Sequence, residues 1–223
     1  MSVVGAPRSQ GLIARVTNIL VRPRVEWDVI AGEPATVQGL FLGYAAILAA
    51  IPAAAQLVHG LTPHCSFFVL CSTPNPAWAV VSAVLDYVVW LALVLLTGIV
   101  IDALAQSFGG ERSRIQAMKV AVYSCTAAWL AGALIVVPIL GPLLALAGLY
   151  SLYLLYAGLG PLMKVPPDKT PIYAIVVVVV AIVIYAVASA ITAQVAMMSA
   201  LAGGGVTAAP GQLSGTVRLG DGA

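Results

Sequence analysis

The sequence predicts an all-α fold, a polytopic membrane bundle of five transmembrane helices with an N-terminal amphipathic interfacial helix. Three observations predict it. The 223 residues are 61% hydrophobic and only 8% charged, against about 45–50% apolar and about 25% charged in soluble domains. Five apolar runs reach the roughly 20 residues that a membrane helix requires. The bases fall in alternate loops, as the positive-inside rule asks of a multi-pass protein. The same composition excludes disorder for most of the chain. Ten Lys and Arg against eight Asp and Glu leave a net charge of +2, with no basic face for nucleic acid.

Residues 1–38 read as a cytoplasmic arm. Within it, Leu12, Ile13, Val16, Ile19 and Leu20 recur at helical spacing over about residues 10–22, with Arg15, Asn18 and Arg22 elsewhere. That pattern is an amphipathic helix lying on the membrane surface, where a docking role is preferred over a regulatory one. Pro23 ends it, and Trp27 reads as an interfacial anchor. Residues 1–8 carry no apolar core of a signal peptide, so no cleaved leader is expected.

The membrane domain spans 39–201, with helices at about 39–58, 77–101, 117–137, 141–162 and 171–193. Pro138, Gly141 and Pro142 divide the stretch from 117 to 163 into two helices joined by a tight turn. Gly39 and Gly43 form a G-x-x-x-G pair that permits close helix approach, and Pro52 is expected to kink span one. Residues 202–223, rich in Gly, Ala, Thr and Ser, read as a flexible extracytoplasmic tail. Nine of the ten bases lie in the arm and in the regions after spans two and four, against Arg218 alone in the tail. The N-terminus is therefore placed inside and the C-terminus outside, in a bacterial cytoplasmic membrane.

That orientation puts Cys65 and Cys71 in an outer, oxidising loop, where a disulfide is the preferred reading. His59 and His64 lie nearby, so a zinc or copper site is weighed against it. The spacing matches no recurring zinc pattern, and no metal is expected. Cys125, inside span three, reads as a packing residue.

Asp86 is the deepest charge. It lies nine residues into span two, about 14 Å at 1.5 Å per residue, where a charged Asp costs about 2.5–3.5 kcal/mol on insertion scales. Tyr150, Thr126, Ser124 and Tyr185 fall near its level, and Asp86 is predicted to bond one of these hydroxyls. A structural hydrogen bond between helices is preferred over a proton or cation site in a transporter, because no second intramembrane charge accompanies it. Tyr150, Tyr153 and Tyr156 read as an aromatic packing ridge. Toward the cytoplasm, the cluster Glu26, Asp28 and Glu33 is expected to pair weakly with the cluster Asp102, Glu111, Arg112 and Arg114. No phosphate loop, metalloprotease or nucleophile-elbow motif appears, so neither enzymatic activity nor a cofactor is expected.

The segments VRPRVEWDVIAGE, IDALAQSFGGER, MKVAVYSCTAAWLAG and YSLYLLYAGLGPLMKVPPDK together resemble the bacterial branch of the Yip1 family over about residues 10–195. The resemblance implies a five-span bundle with a cytoplasmic N-terminus and supplies no catalytic residues. Eukaryotic relatives act in vesicle traffic and bind Rab-type GTPases through a longer N-terminal region. Here that region is about 38 residues, and Rab binding does not carry over. The expectation is a non-catalytic multi-pass protein that organises lipid or an unidentified membrane or cytoplasmic protein partner. The alternative is a small transporter or channel using Asp86.

Overall fold

The computed structural model describes residues 11–62, 64–65, 70–72, 76–203 and 206–208. Two helices form the arm, α1 (Leu12–Val21) and α2 (Pro23–Gly32). Five further helices are long and apolar enough to cross a membrane. They are span one (Val37–Leu61), span two (Pro76–Phe108), span three (Arg114–Val136), span four (Gly141–Met163) and span five, which opens at Thr170. The five-span bundle matches the sequence pattern. Each boundary follows local chemistry. Thr36 caps span one by accepting the Gly39 amide at 3.0 Å, and span two ends on Gly109, whose φ of 76° is glycine's region. Short 3-10 turns at Gly132–Val136 and Pro138–Leu140 make the tight connection between spans three and four.

Two limits move. Span two runs on to Phe108 because the polar Ala105–Phe108 segment continues as a 3-10 turn, and span five continues as helix to Gly203. Three short strands add to the helices: β1 (His64–Cys65), β2 (Leu70–Ser72) and β3 (Val206–Ala208), an antiparallel sheet in the order β1-β2-β3. Part of the segment read as a flexible tail is thus the edge strand of this sheet, because backbone pairing with β2 needs no particular side chains. The rest of that tail lies outside the described residues.

Span three is the central helix: 56% of its apolar window is buried, against 17–33% for the other four. Gly98 of span two lets Met118 of span three approach, since a Cβ there would stand 2.5 Å from the Met118 sulfur. The fully buried large side chains gather toward the end that carries the arm, among them Ile19, Trp27, Ile101, Met118, Leu159 and Tyr173. We call this the basic end. The Tyr173 hydroxyl donates to the Ile101 carbonyl there. Elsewhere the spans expose Val84, Val88, Leu146, Leu149 and Val183 outward, a surface whose natural solvent is hydrocarbon.

Candidate functional site

The chemistry of the chain concentrates where the arm enters the bundle. Arg15 and Ile19, one turn apart on α1, are the residues of that helix turned fully inward. Arg15 reaches two acids that the fold of α2 brings back to it. One terminal nitrogen donates to Glu26, in the first turn of α2, and the other to Glu33, at its C-cap. The side chains of Arg15 and Glu26 are each 5% exposed and that of Glu33 is 15% exposed. The guanidinium also stands 5.8 Å from the centre of the Tyr123 ring, within cation–π range. Burial pulls the Arg15 pKa down, but the hydrogen bond and charge of Glu33, with Tyr123 and Glu26, outweigh it and leave it above the ordinary value. The guanidinium therefore stays charged.

Span three closes the other side. A helix leaves its last carbonyls without intrahelical partners, and their negative dipole end attracts a cation. Lys119 answers both needs: its ammonium donates to the Ile30 carbonyl at 2.7 Å and the Glu33 carbonyl at 2.6 Å. Gln116 donates to Ala31 at 3.0 Å. The end of α1 is held in the same way, with the Tyr150 hydroxyl donating to the Leu20 carbonyl at 2.6 Å. Trp27 packs beneath. A Cβ on Gly158 would stand 2.8 Å from its ring, so only glycine admits the indole there.

This geometry corrects several sequence expectations. The α1 helix forms as predicted, but its buried face is rotated toward Arg15 and away from Ile13, which is 80% exposed. The ion pair, invisible to hydropathy, sets that rotation. Trp27 is fully buried against span four rather than anchored at the membrane interface, because α2 lies alongside that helix. Gly39 and Gly43 do not mediate close helix approach within the chain. A Cβ on Gly39 would meet only its own cap, Thr36, and one on Gly43 would meet nothing within 4 Å. The two charge clusters do not pair with each other. Arg112 bonds Asp102 at 3.3 Å and Lys164 bonds Glu111 at 2.8 Å, while Glu26 and Glu33 turn to Arg15.

The hydroxyl band around Asp86 also resolves differently. Tyr150 is committed to Leu20, and Thr126 bonds the Tyr44 hydroxyl at 2.8 Å and the Tyr123 carbonyl at 2.7 Å. Ser124 donates back to Ala121 at 3.1 Å. Helical hydroxyls find local carbonyls before distant acids. Tyr185 alone meets Asp86 at a common place, a cavity of about 210 Å³ that they line with Pro52, Gln56, Trp90 and Ser189. Asp86 makes no hydrogen bond to it there. Cys125 is a free thiol, half-buried as a packing residue. The side chains of His64, Cys65 and Cys71 lie outside the described residues, so the disulfide and the metal alternative do too, although β1 and β2 place Cys65 opposite Cys71.

The profile of the Yip1 domain matches residues 17–189. The chain belongs to the Yip1 family. No curated protein and no solved structure matches it. The Yip1 domain begins inside α1, so α2, Glu26, Glu33 and Lys119 lie within it, whereas Arg15 stands two residues before its start. Arg15 is, with Lys119 and Gly158, a residue whose role sequence reasoning missed. Its signal was its spacing of four from Ile19, which puts both on one face of the helix. The Yip1 match and the five apolar helices together make this a multi-pass membrane protein.

Proposed function

We propose that this Yip1-family chain is a non-catalytic membrane organiser, set in a bacterial cytoplasmic membrane, that holds lipid or a protein partner. The arm carries the proposal. It is fixed to spans three and four by buried charge and carbonyl capping rather than left free, so the basic end presents one built, composite face. Nine of the ten bases on that side of the sequence support placing it in the cytoplasm, with the C-terminus outside. Photo-crosslinking from Val25, 64% exposed on α2, in native membranes is expected to yield one discrete lipid or protein adduct. A smear indistinguishable from a lipid-facing control at Val84 would contradict the reading.

The cavity at Asp86 favours a second reading, a transporter or channel with Asp86 as its proton or cation site. Against it, the basic end beyond is packed, with Gly98 on Met118 and Tyr173 on Ile101. Proton and cation flux into liposomes carrying the protein is therefore expected to equal that of empty liposomes. Flux that is present and lost in Asp86→Asn would establish the transporter instead.

The outer loop supports a disulfide in the mature protein. Directly opposed residues of antiparallel strands have Cα atoms about 4.5–5.5 Å apart, inside the range a disulfide spans. Cys65 and Cys71 hold such a register. Mass spectrometry of non-reduced protein from its native membrane is expected to find them linked, and two freely alkylated thiols would refute both the bridge and the orientation behind it.

A further inference from the structure

A groove of about 520 Å³ opens at the basic end between α2 and the adjoining ends of spans four and five. Arg24 and Asp28 line it from α2, and Tyr153, Tyr156 and Gly160 line it from span four. Arg24 and Asp28 are four residues apart, so they leave one face of the helix with their Cβ atoms about 5–6 Å apart. Opposite charges at that spacing commonly pair. Here neither has an ion-pair or hydrogen-bond partner among the described residues, and neither do the hydroxyls of Tyr153 and Tyr156. One cation, one anion and two hydroxyls are thus held around an open space with their bonding capacity unused.

The walls beyond the charges are apolar. Leu146, Leu149, Tyr153 and Tyr156 repeat at intervals of three and four and form one stripe along span four. Leu146 is 60% and Leu149 63% exposed, and Val21 and Val25 on the arm side are 70% and 64% exposed. The groove therefore continues into a track that suits hydrocarbon.

We propose that this groove binds the headgroup of an aminophospholipid of the phosphatidylethanolamine type. Arg24 receives the phosphate, Asp28 the primary ammonium, and the tyrosine hydroxyls donate to phosphate or ester oxygens. The acyl chains follow Leu149 and Leu146. The charge pair selects the headgroup. A phosphatidylglycerol brings no cation for Asp28 and sets its own negative charge beside it. A phosphatidylcholine brings a quaternary ammonium with no N–H to donate. Charge-assisted bonds are about twice as strong as neutral ones. This deepens the organising role proposed above, and rests on that reading, by naming the lipid class.

The test is native mass spectrometry of the full-length protein. It is offered phosphatidylethanolamine, phosphatidylcholine and phosphatidylglycerol of identical acyl chains in equal amounts. Retention of the ethanolamine lipid is expected to exceed that of the other two about tenfold, the factor that one charge-assisted bond supplies. Arg24→Gln should lose most of the retained phospholipid. Asp28→Asn should abolish the ethanolamine preference and raise phosphatidylglycerol. Arg112→Gln, on the exposed connection after span two, should change nothing, and circular dichroism confirms that each variant is folded. Equal retention of the three lipids would overturn the proposal. So would a preference unchanged by Arg24→Gln and Asp28→Asn, or a second copy of the chain or a peptide retained in place of lipid. The crosslinking test reads any adduct on the arm, so equal retention of the three lipids beside a discrete adduct overturns the lipid class alone, whereas a smear overturns the organising role on which it rests.

Discussion

Replacing Arg15 with alanine is expected to cost the folded protein about 3–5 kcal/mol, the cost typical of removing one partner from a buried ion pair. The reason is the position of what remains. Glu26 and Glu33 bond the guanidinium in an environment that leaves them 5% and 15% exposed. Without Arg15 both carboxylates are buried, and Lys119 offers Glu33 no relief because its ammonium is committed to the Ile30 and Glu33 carbonyls. Thermal unfolding in detergent measures the loss, and limited proteolysis should cut the arm in the variant under conditions that spare the parent. A triple replacement by methionine at Arg15, Glu26 and Glu33 is expected to recover most of the stability, since apolar groups of similar volume replace buried ion pairs at little cost. An alanine variant as stable and as protease-resistant as the parent would show that the pair does not hold the arm.

Trp27→Ala is the second large effect, also expected at about 3–5 kcal/mol, because the variant forgoes burial of the indole and leaves a cavity in its place. The indole is fully buried. It stands against Gly158 on one side and meets the Tyr123 ring edge-on at a centroid distance of 6.3 Å, so no neighbour can collapse into the space without moving span four. An interfacial anchor would behave otherwise. Its removal would leave the midpoint of unfolding nearly unchanged and alter only the position in the bilayer. The midpoint of Trp27→Ala in detergent, where no bilayer interface exists, therefore separates the two roles.

The architecture was legible in the sequence because it depends on quantities that add along the chain. Hydropathy summed over about 20 residues finds a span whatever it packs against, and the Pro138–Gly141–Pro142 punctuation divides spans three and four. The site was not legible, because it depends on which residues meet. Arg15 lies 11 residues from Glu26 and 18 from Glu33, and only the return of α2 brings them together. Hydropathy therefore placed Arg15 on the polar face. Trp27 was misread for the same reason: an aromatic beside a span suits an interface equally well until Gly158 is known to lie opposite. Glycine motifs mislead in the other direction. Gly39 and Gly43 have the spacing of a packing pair, yet the close approaches to other segments fall at Gly60, Gly98, Gly110, Gly132 and Gly158, whose partners are Ala79, Met118, Met163 with Val165, Pro52 and Trp27. Asp86 is intermediate. Its depth could be counted, but its surroundings could not, because the nearby hydroxyls had carbonyls of their own.

The central claim is that the arm is an integral part of the bundle. Hydrogen–deuterium exchange of the protein in lipid nanodiscs tests it most directly, since exchange reports the local opening free energy of each segment. The amides of 12–32 are expected to be as protected as those of span three, and to lose that protection together in Arg15→Ala. Rapid exchange throughout the arm of the parent protein, with the spans still protected, would contradict it.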